Sequence, residues 1–258
     1  MGQSFEERKE AEVEASPEQV WEAIATGPGI DSWYMGRNQV EPGEGGTVRT
    51  EFGAYSPVAT VTAWEPLKRL AYRSDEGAGE GETGETGESG RFVAFEFHIE
   101  GRGGGRTVLR MVTSGFLPGD DWEAEYDAMV KGLELFFSTL VEYLRHFPGR
   151  TATPITAFGP PVTDWPRAWA VLHRALGLRG TVAPGAPVRC TPEGLAPIEG
   201  VVYFVNPHTL GVRTADALYR FLRGLHGAMV VGHHLFSADV DREQTERAWQ
   251  AWLSRLFA

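Results

Sequence analysis

Residues 16–24 read SPEQVWEAI, and residues 164–172 read DWPRAWAVL. Both are short helix openings with a tryptophan in the sixth place. Val48-Arg49-Thr50 returns as Val188-Arg189-Cys190, and Pro57-Val58 returns as Pro197-Ile198. Trp64, Leu70 and Arg73 return as Phe204, Leu210 and Arg213, so that all these matches sit at an offset of 140. The offset is 148 from Trp21 to Trp169 and 120 from Phe116 to Phe236. Offsets that change only at loops are what a diverged duplication leaves behind. The chain is therefore expected to fold as two copies of one architecture, over residues 1–150 and 151–258. Each copy needs a short helix whose tryptophan plugs one end of a sheet.

The order of elements follows from periodicity. AEVEA (11–15) alternates as a half-buried strand does. Ser16 can cap the next helix, with Pro17 in its first turn and Val20, Trp21 and Ile24 on one face. GPGIDSWYM breaks that helix and starts a second short one. TVRTEF, VATVTAW and RLAYRS then read as strands. In FVAFEFHIE (92–100), Val93, Phe95, Phe97 and Ile99 share one face, and Glu96 and His98 the other. GRGGGR joins that strand to RTVLRMVTSGF as a hairpin loop and opens no helix, so it is not a phosphate cradle. Residues 121–147 form a long helix with a broad apolar face, stopped by Pro148-Gly149. TPITAFGP (153–160) begins the second copy. The last helix carries Trp249, Trp252, Leu253, Leu256 and Phe257 as its stripe. The tract 75–90, DEGAGEGETGETGESG, cannot bury apolar surface and is expected to be a disordered hairpin tip. The predicted fold class is α+β, two tandem domains of one architecture. In each, a curved antiparallel sheet wraps a long C-terminal helix, and the second copy is reduced.

Charge narrows the partners. Of the 35 acidic and 24 basic residues, residues 1–150 hold 27 and 14, a net −13, and residues 151–258 hold 8 and 10, a net +2. Such an acidic surface disfavours nucleic acid and anionic lipid. No apolar run approaches the roughly 18–20 residues of a membrane helix. The single cysteine and the polar N-terminus MGQSFEERKE, which lacks a signal-peptide core, lead us to expect a cytoplasmic protein.

SPEQVWEAI, IDSWYM, the Gly45-Gly46 turn, WEPLKRLAYRS and the terminal amphipathic helix together resemble the START-like, helix-grip superfamily (SRPBCC). The nearest branch is the one named for the activator of the heat-shock-protein ATPase. The resemblance covers about residues 5–147 clearly and 153–258 weakly. It implies a hydrophobic cavity between sheet and long helix. Family members line that pocket at the positions of Trp33, Tyr34, Tyr55, Trp64, Tyr72, Phe95, Phe97, Met111, Trp122, Tyr126 and Met129. Apolar walls with a few hydroxyls suit a small hydrophobic molecule. The shorter second copy is expected to act as a lid or dimerisation surface.

Catalytic constellations are absent from the pattern. Glu96, His98 and Arg110 alternate away from the apolar face. Asp31 and Glu125 are better placed, near a pocket mouth, but such residues more often serve as helix-terminus charges. His233 and His234, adjacent on a strand, point to opposite faces and cannot share one metal ion. His208 and His226 are isolated, and Cys190 reads as a small hydrophobe. No cofactor or metal is expected. The leading expectation is a non-enzymatic binder of a small hydrophobic molecule. The alternatives are a chaperone-activator-type interaction protein, with a chaperone or a second copy as partner, and a polyketide-cyclase-like enzyme.

Overall fold

The computed structural model describes residues 2–53, 56–75, 90–117, 122–224 and 227–257. Almost all of the expected acidic hairpin tip, together with Tyr55 and His226, lies outside them.

Strand β1 (Gln3–Val13) starts well before AEVEA, and its odd residues are the more buried ones. Ser16 then starts α1 (Pro17–Ala25) through a capping box. Its hydroxyl accepts the Gln19 N–H at 3.4 Å, and the Gln19 side chain accepts the Ser16 N–H at 2.9 Å. A one-turn α2 (Gly27–Ile30) follows, then β2 (Arg37–Val40), β3 (Thr47–Glu51), β4 (Val58–Glu65), β5 (Arg69–Asp75), β6 (Phe92–Arg102) and β7 (Arg106–Leu117). The long helix α3 (Trp122–His146) closes the series, and Gly149, at φ 75°, turns the chain after it. The second series is β8 (Thr153–Pro161), α4 (Trp165–Ala175), β9 (Pro187–Cys190), β10 (Ile198–Asn206), β11 (Thr209–Arg213), β12 (Ala217–Arg223), β13 (Ala228–Leu235) and α5 (Arg242–Leu256). Asp164 and Asp241 cap α4 and α5 through the N–H groups of Arg167 and Gln244, each at 3.0 Å.

Two antiparallel sheets result, ordered β1-β7-β6-β5-β4-β3-β2 and β8-β13-β12-β11-β10-β9. The six strands of the second sheet match β1 and β3–β7 in register, and β2 has no counterpart. Glu10 faces Arg110 in the first sheet and Phe158 faces Val230 in the second, at offsets of 148 and 120. The 148 is the same spacing that separates Trp21 from Trp169 on the two helices that follow. Both copies bulge at one place, Thr62 in β4 and Tyr203 in β10. Here the register corrects the expected alignment. Leu70 pairs with Trp64, and its counterpart Leu210 pairs with Val205, so Val205 and not Phe204 occupies the place of Trp64. Likewise Arg49 faces Val58 while Arg189 faces Glu199. The loop before β10 is one residue longer, and the Pro57-Val58 to Pro197-Ile198 match is a coincidence of letters.

The chain divides into two compact units. The first comprises Met1–Ile30, Arg37–Leu133 and Leu144–Gly149; the second comprises Asp31–Gly36, Glu134–Tyr143 and Arg150–Ala258. Two short segments of the front half therefore group with the second sheet. That sheet's core holds Ile155, Leu172, Val212, Phe221, Val231, Trp249, Trp252 and Leu253 on the α5 side. β13 is buried on both faces from Met229 to His234. Gly211 has a close-approach reason to lack a side chain: a Cβ there would stand 2.4 Å from the Tyr203 ring.

Candidate functional site

The inner face of the first sheet is built in rows, because residues directly opposite in antiparallel strands share a face. One row runs Trp64, Leu70, Phe97, Met111, Lys9, and the next runs Tyr72, Phe95, Thr113, Glu7. A third runs Ser74, Val93, Gly115, Phe5. Burial fades from row to row. Leu70, Phe97 and Met111 are closed off, at 0%, 0% and 2% exposure. Phe95, Val93 and Phe5 are only half-buried, as are Trp122, Tyr126, Met129 and Val130 on α3. The sheet thus presents a closed apolar end and a half-covered aromatic end.

Tyr126 ties α3 to this face. Its ring packs on Phe5 at 5.7 Å and on Trp122 at 6.2 Å, and its hydroxyl donates to the Glu7 carboxylate. That hydrogen bond is the main reason the Tyr126 phenol is held above its ordinary pKa, with desolvation adding to it. Beside Glu7 in the register stands Thr113, at 0% exposure, whose hydroxyl has no hydrogen-bond partner among the described residues. A buried hydroxyl left without a partner is unfavourable by about 1–3 kcal/mol. Tyr72 packs on Phe95 at 5.4 Å and on Phe97 at 6.3 Å. The site is an aromatic wall with one carboxylate–phenol pair, one buried hydroxyl without a partner among the described residues and one ammonium.

Of the expected lining, Tyr72, Phe95, Phe97 and Met111 meet on the sheet, and Trp122, Tyr126 and Met129 lie along α3. Trp64 shares the inner face but packs edge-on against Trp21 of α1 at 5.1 Å, as the plug at the closed end. Trp33 and Tyr34 belong instead to the second unit. Their backbone carbonyls accept from Arg220 at 2.9 and 2.8 Å, and Tyr34 stacks on Phe136 at 4.8 Å. Glu96 and His98 turn outward, as alternation requires, and contact each other at 2.9 Å. Arg110 pairs outward with Glu10. The thiol of Cys190 is pushed up by burial, as in a small core residue.

Glu7, Lys9, Thr113 and Phe5 were not among the expected lining residues. The signal was present in FEERKEAEV: with a strand that begins at Gln3, its odd positions belong to the inner face.

Arg220 organises a second polar cluster, inside the second unit. At 1% exposure it donates to the carbonyls of Gly232, Trp33 and Tyr34 at 2.6, 2.9 and 2.8 Å, and desolvation brings its pKa down to about 10. His234 Nδ1 meets the Asp31 carbonyl at 2.7 Å. Tyr203 and Thr139 share a hydroxyl–hydroxyl bond of 2.8 Å. These contacts hold backbone, so we read the cluster as structural. No group of three or more His, Cys, Asp or Glu able to hold a metal occurs among the described residues, and no helix there is long and apolar enough to cross a membrane.

The family model described as Activator of Hsp90 ATPase homolog 1-like protein matches residues 14–145. Among solved structures, protein MLL2253 from Mesorhizobium loti is 25% identical at a TM-score of 0.45, over 54% of this chain and 96% of its own. The Aha1 dimer from Colwellia psychrerythraea is 21% identical at 0.41, over 55% and 96%. DynU16, from the dynemicin biosynthetic locus, is 18% identical at 0.43 and covers 98% of this chain and 95% of its own. No curated protein matches the chain.

Proposed function

Since the chain belongs to the Activator of Hsp90 ATPase homolog 1-like family, we propose that it binds a small, mostly apolar molecule on the inner face of its first sheet. The observation that carries this reading is the unpartnered Thr113 hydroxyl, buried in an aromatic row beside the Glu7–Tyr126 pair. An apolar wall with a few placed polar groups orients a ligand without charging the whole site. The role is to hold the molecule rather than transform it. Glu7 is the carboxylate facing this surface from β1, and the Tyr126 hydroxyl already occupies it, which leaves it a poor base.

Calorimetric titration of the full chain with 2-naphthol and with dodecanol tests the reading. Saturable one-site binding of either, lost in Phe95→Glu while the circular dichroism spectrum is kept, supports it. If neither alcohol saturates nor raises the melting temperature, the reading fails.

The family match supports a second reading, in which the chain assists a heat-shock ATPase. Stimulation of that ATPase by the full chain is its test, and an unchanged turnover rate removes it.

A further inference from the structure

Resting on that reading, we propose that the bound molecule is an amphipathic acid, its carboxylate paired with Lys9 and its apolar body laid along Phe95 and Phe5. Lys9 stands opposite Met111 in the β1–β7 register, in the row of buried Phe97. Its side chain therefore leaves the strand on the inner face, and it is half-buried where its neighbours Arg8 and Glu10 are exposed.

The other charged side chains along β1 show by contrast how unusual Lys9 is. Glu6 pairs with Arg8 at 2.7 Å, Glu10 with Arg110 at 2.5 Å and Glu12 with Arg106 at 2.8 Å, while Glu7 takes the Tyr126 hydroxyl. Lys9 has no ion pair or hydrogen bond among the described residues. An ammonium drawn partly out of water without a counter-ion is unfavourable, and a ligand anion supplies the missing half. Thr113 adds a second anchor. It is the diagonal neighbour of Lys9, and such positions lie about 7–8 Å apart, within the span of one small molecule.

The charge count selects the class. One ammonium, with the Glu7 carboxylate two residues along the same strand, suits a monoanion and repels a phosphate dianion. A carboxylic acid on a ring or chain satisfies both the charge and the aromatic wall.

The test compares two matched pairs on the full chain by calorimetry: 2-naphthoic acid against 2-naphthamide, and dodecanoic acid against dodecanol. We expect the acid of a pair to bind about tenfold more tightly than its neutral twin. Lys9→Met should erase that preference and leave the neutral probe's affinity within about twofold, while Lys9→Arg should keep it. Equal binding of acid and neutral twin to the wild type, or a preference that survives Lys9→Met, overturns the pairing while the apolar site stands. Failure of all four probes to saturate the wild type overturns both readings together. Melting curves of the two variants establish that they fold, and a Lys9→Met variant that unfolds leaves the wild-type acid-to-neutral ratio to decide.

Discussion

His233 Nδ1 accepts the backbone N–H of Arg220 at 3.0 Å. That bond fixes the neutral imidazole with its proton on Nε2, a position that has no conventional acceptor. The imidazole is enclosed by aromatic rings, with Trp249 at 4.3 Å, Tyr219 at 5.0 Å and Phe221 at 5.3 Å, centroid to centroid. The histidine is thus held in one neutral tautomer by a strand hydrogen bond.

Acid should therefore unfold the second unit. Burial, reinforced by Arg220, holds both His233 and His234 well below their usual pKa. Below pH 6.5 the unfolded chain binds protons that the folded chain refuses. Stability is then lost as pH falls from about 6.5, at a slope of about 2.7 kcal/mol per pH unit for two groups. Urea midpoints between pH 7.5 and 5 measure the slope, and His233→Phe should roughly halve it. A flat profile would contradict the burial of both rings.

Alkali should act through tyrosines. Burial pushes Tyr34, Tyr203 and Tyr219 up to about 12, so the folded state keeps protons that the unfolded state releases above pH 10. Stability present below pH 10 is lost as pH rises through 12. Tyrosinate absorbance at 295 nm should show these three titrating late or only on unfolding, and early titration of all seven tyrosines would refute the prediction.

Arg220→Met should lower stability by about 3–5 kcal/mol, because the carbonyls of Gly232, Trp33 and Tyr34 lose their donor together. Lys reaches fewer carbonyls than the planar guanidinium, so Arg220→Lys should recover less than half of the loss. Urea denaturation of the two variants beside wild type decides it.

Tyr126→Phe should separate binding from folding. The pair with Glu7 is partly exposed, so one lost hydrogen bond should change stability by less than about 1 kcal/mol. Affinity for 2-naphthol should fall at least about threefold, since Glu7 regains an unpaired charge facing the apolar wall. Calorimetry beside a melting curve gives both readouts.

The helix starts at Ser16 and the strand alternation of FVAFEFHIE were legible in the sequence because their causes are local: a cap, and a period of two. The place of Trp33 and Tyr34 was not, because their carbonyls answer to an arginine more than 180 positions away, and no spacing encodes that. RNQV formed β2 without an apolar pattern, since an edge strand needs only one partner. Lys9 and Glu7 were missed for a sharper reason. A search for apolar residues on the buried face discards the charged ones, and in β1 those are the residues with chemistry to offer.

The kink shared by Thr62 and Tyr203 has one more consequence. At the same step of the same strand, the backbone swells by one residue in both halves. In the first half it carries a solvent-facing threonine, and in the second a phenol bonded to Thr139. The two sheets thus repeat one backbone distortion at one step, while the side chains it presents meet different surroundings.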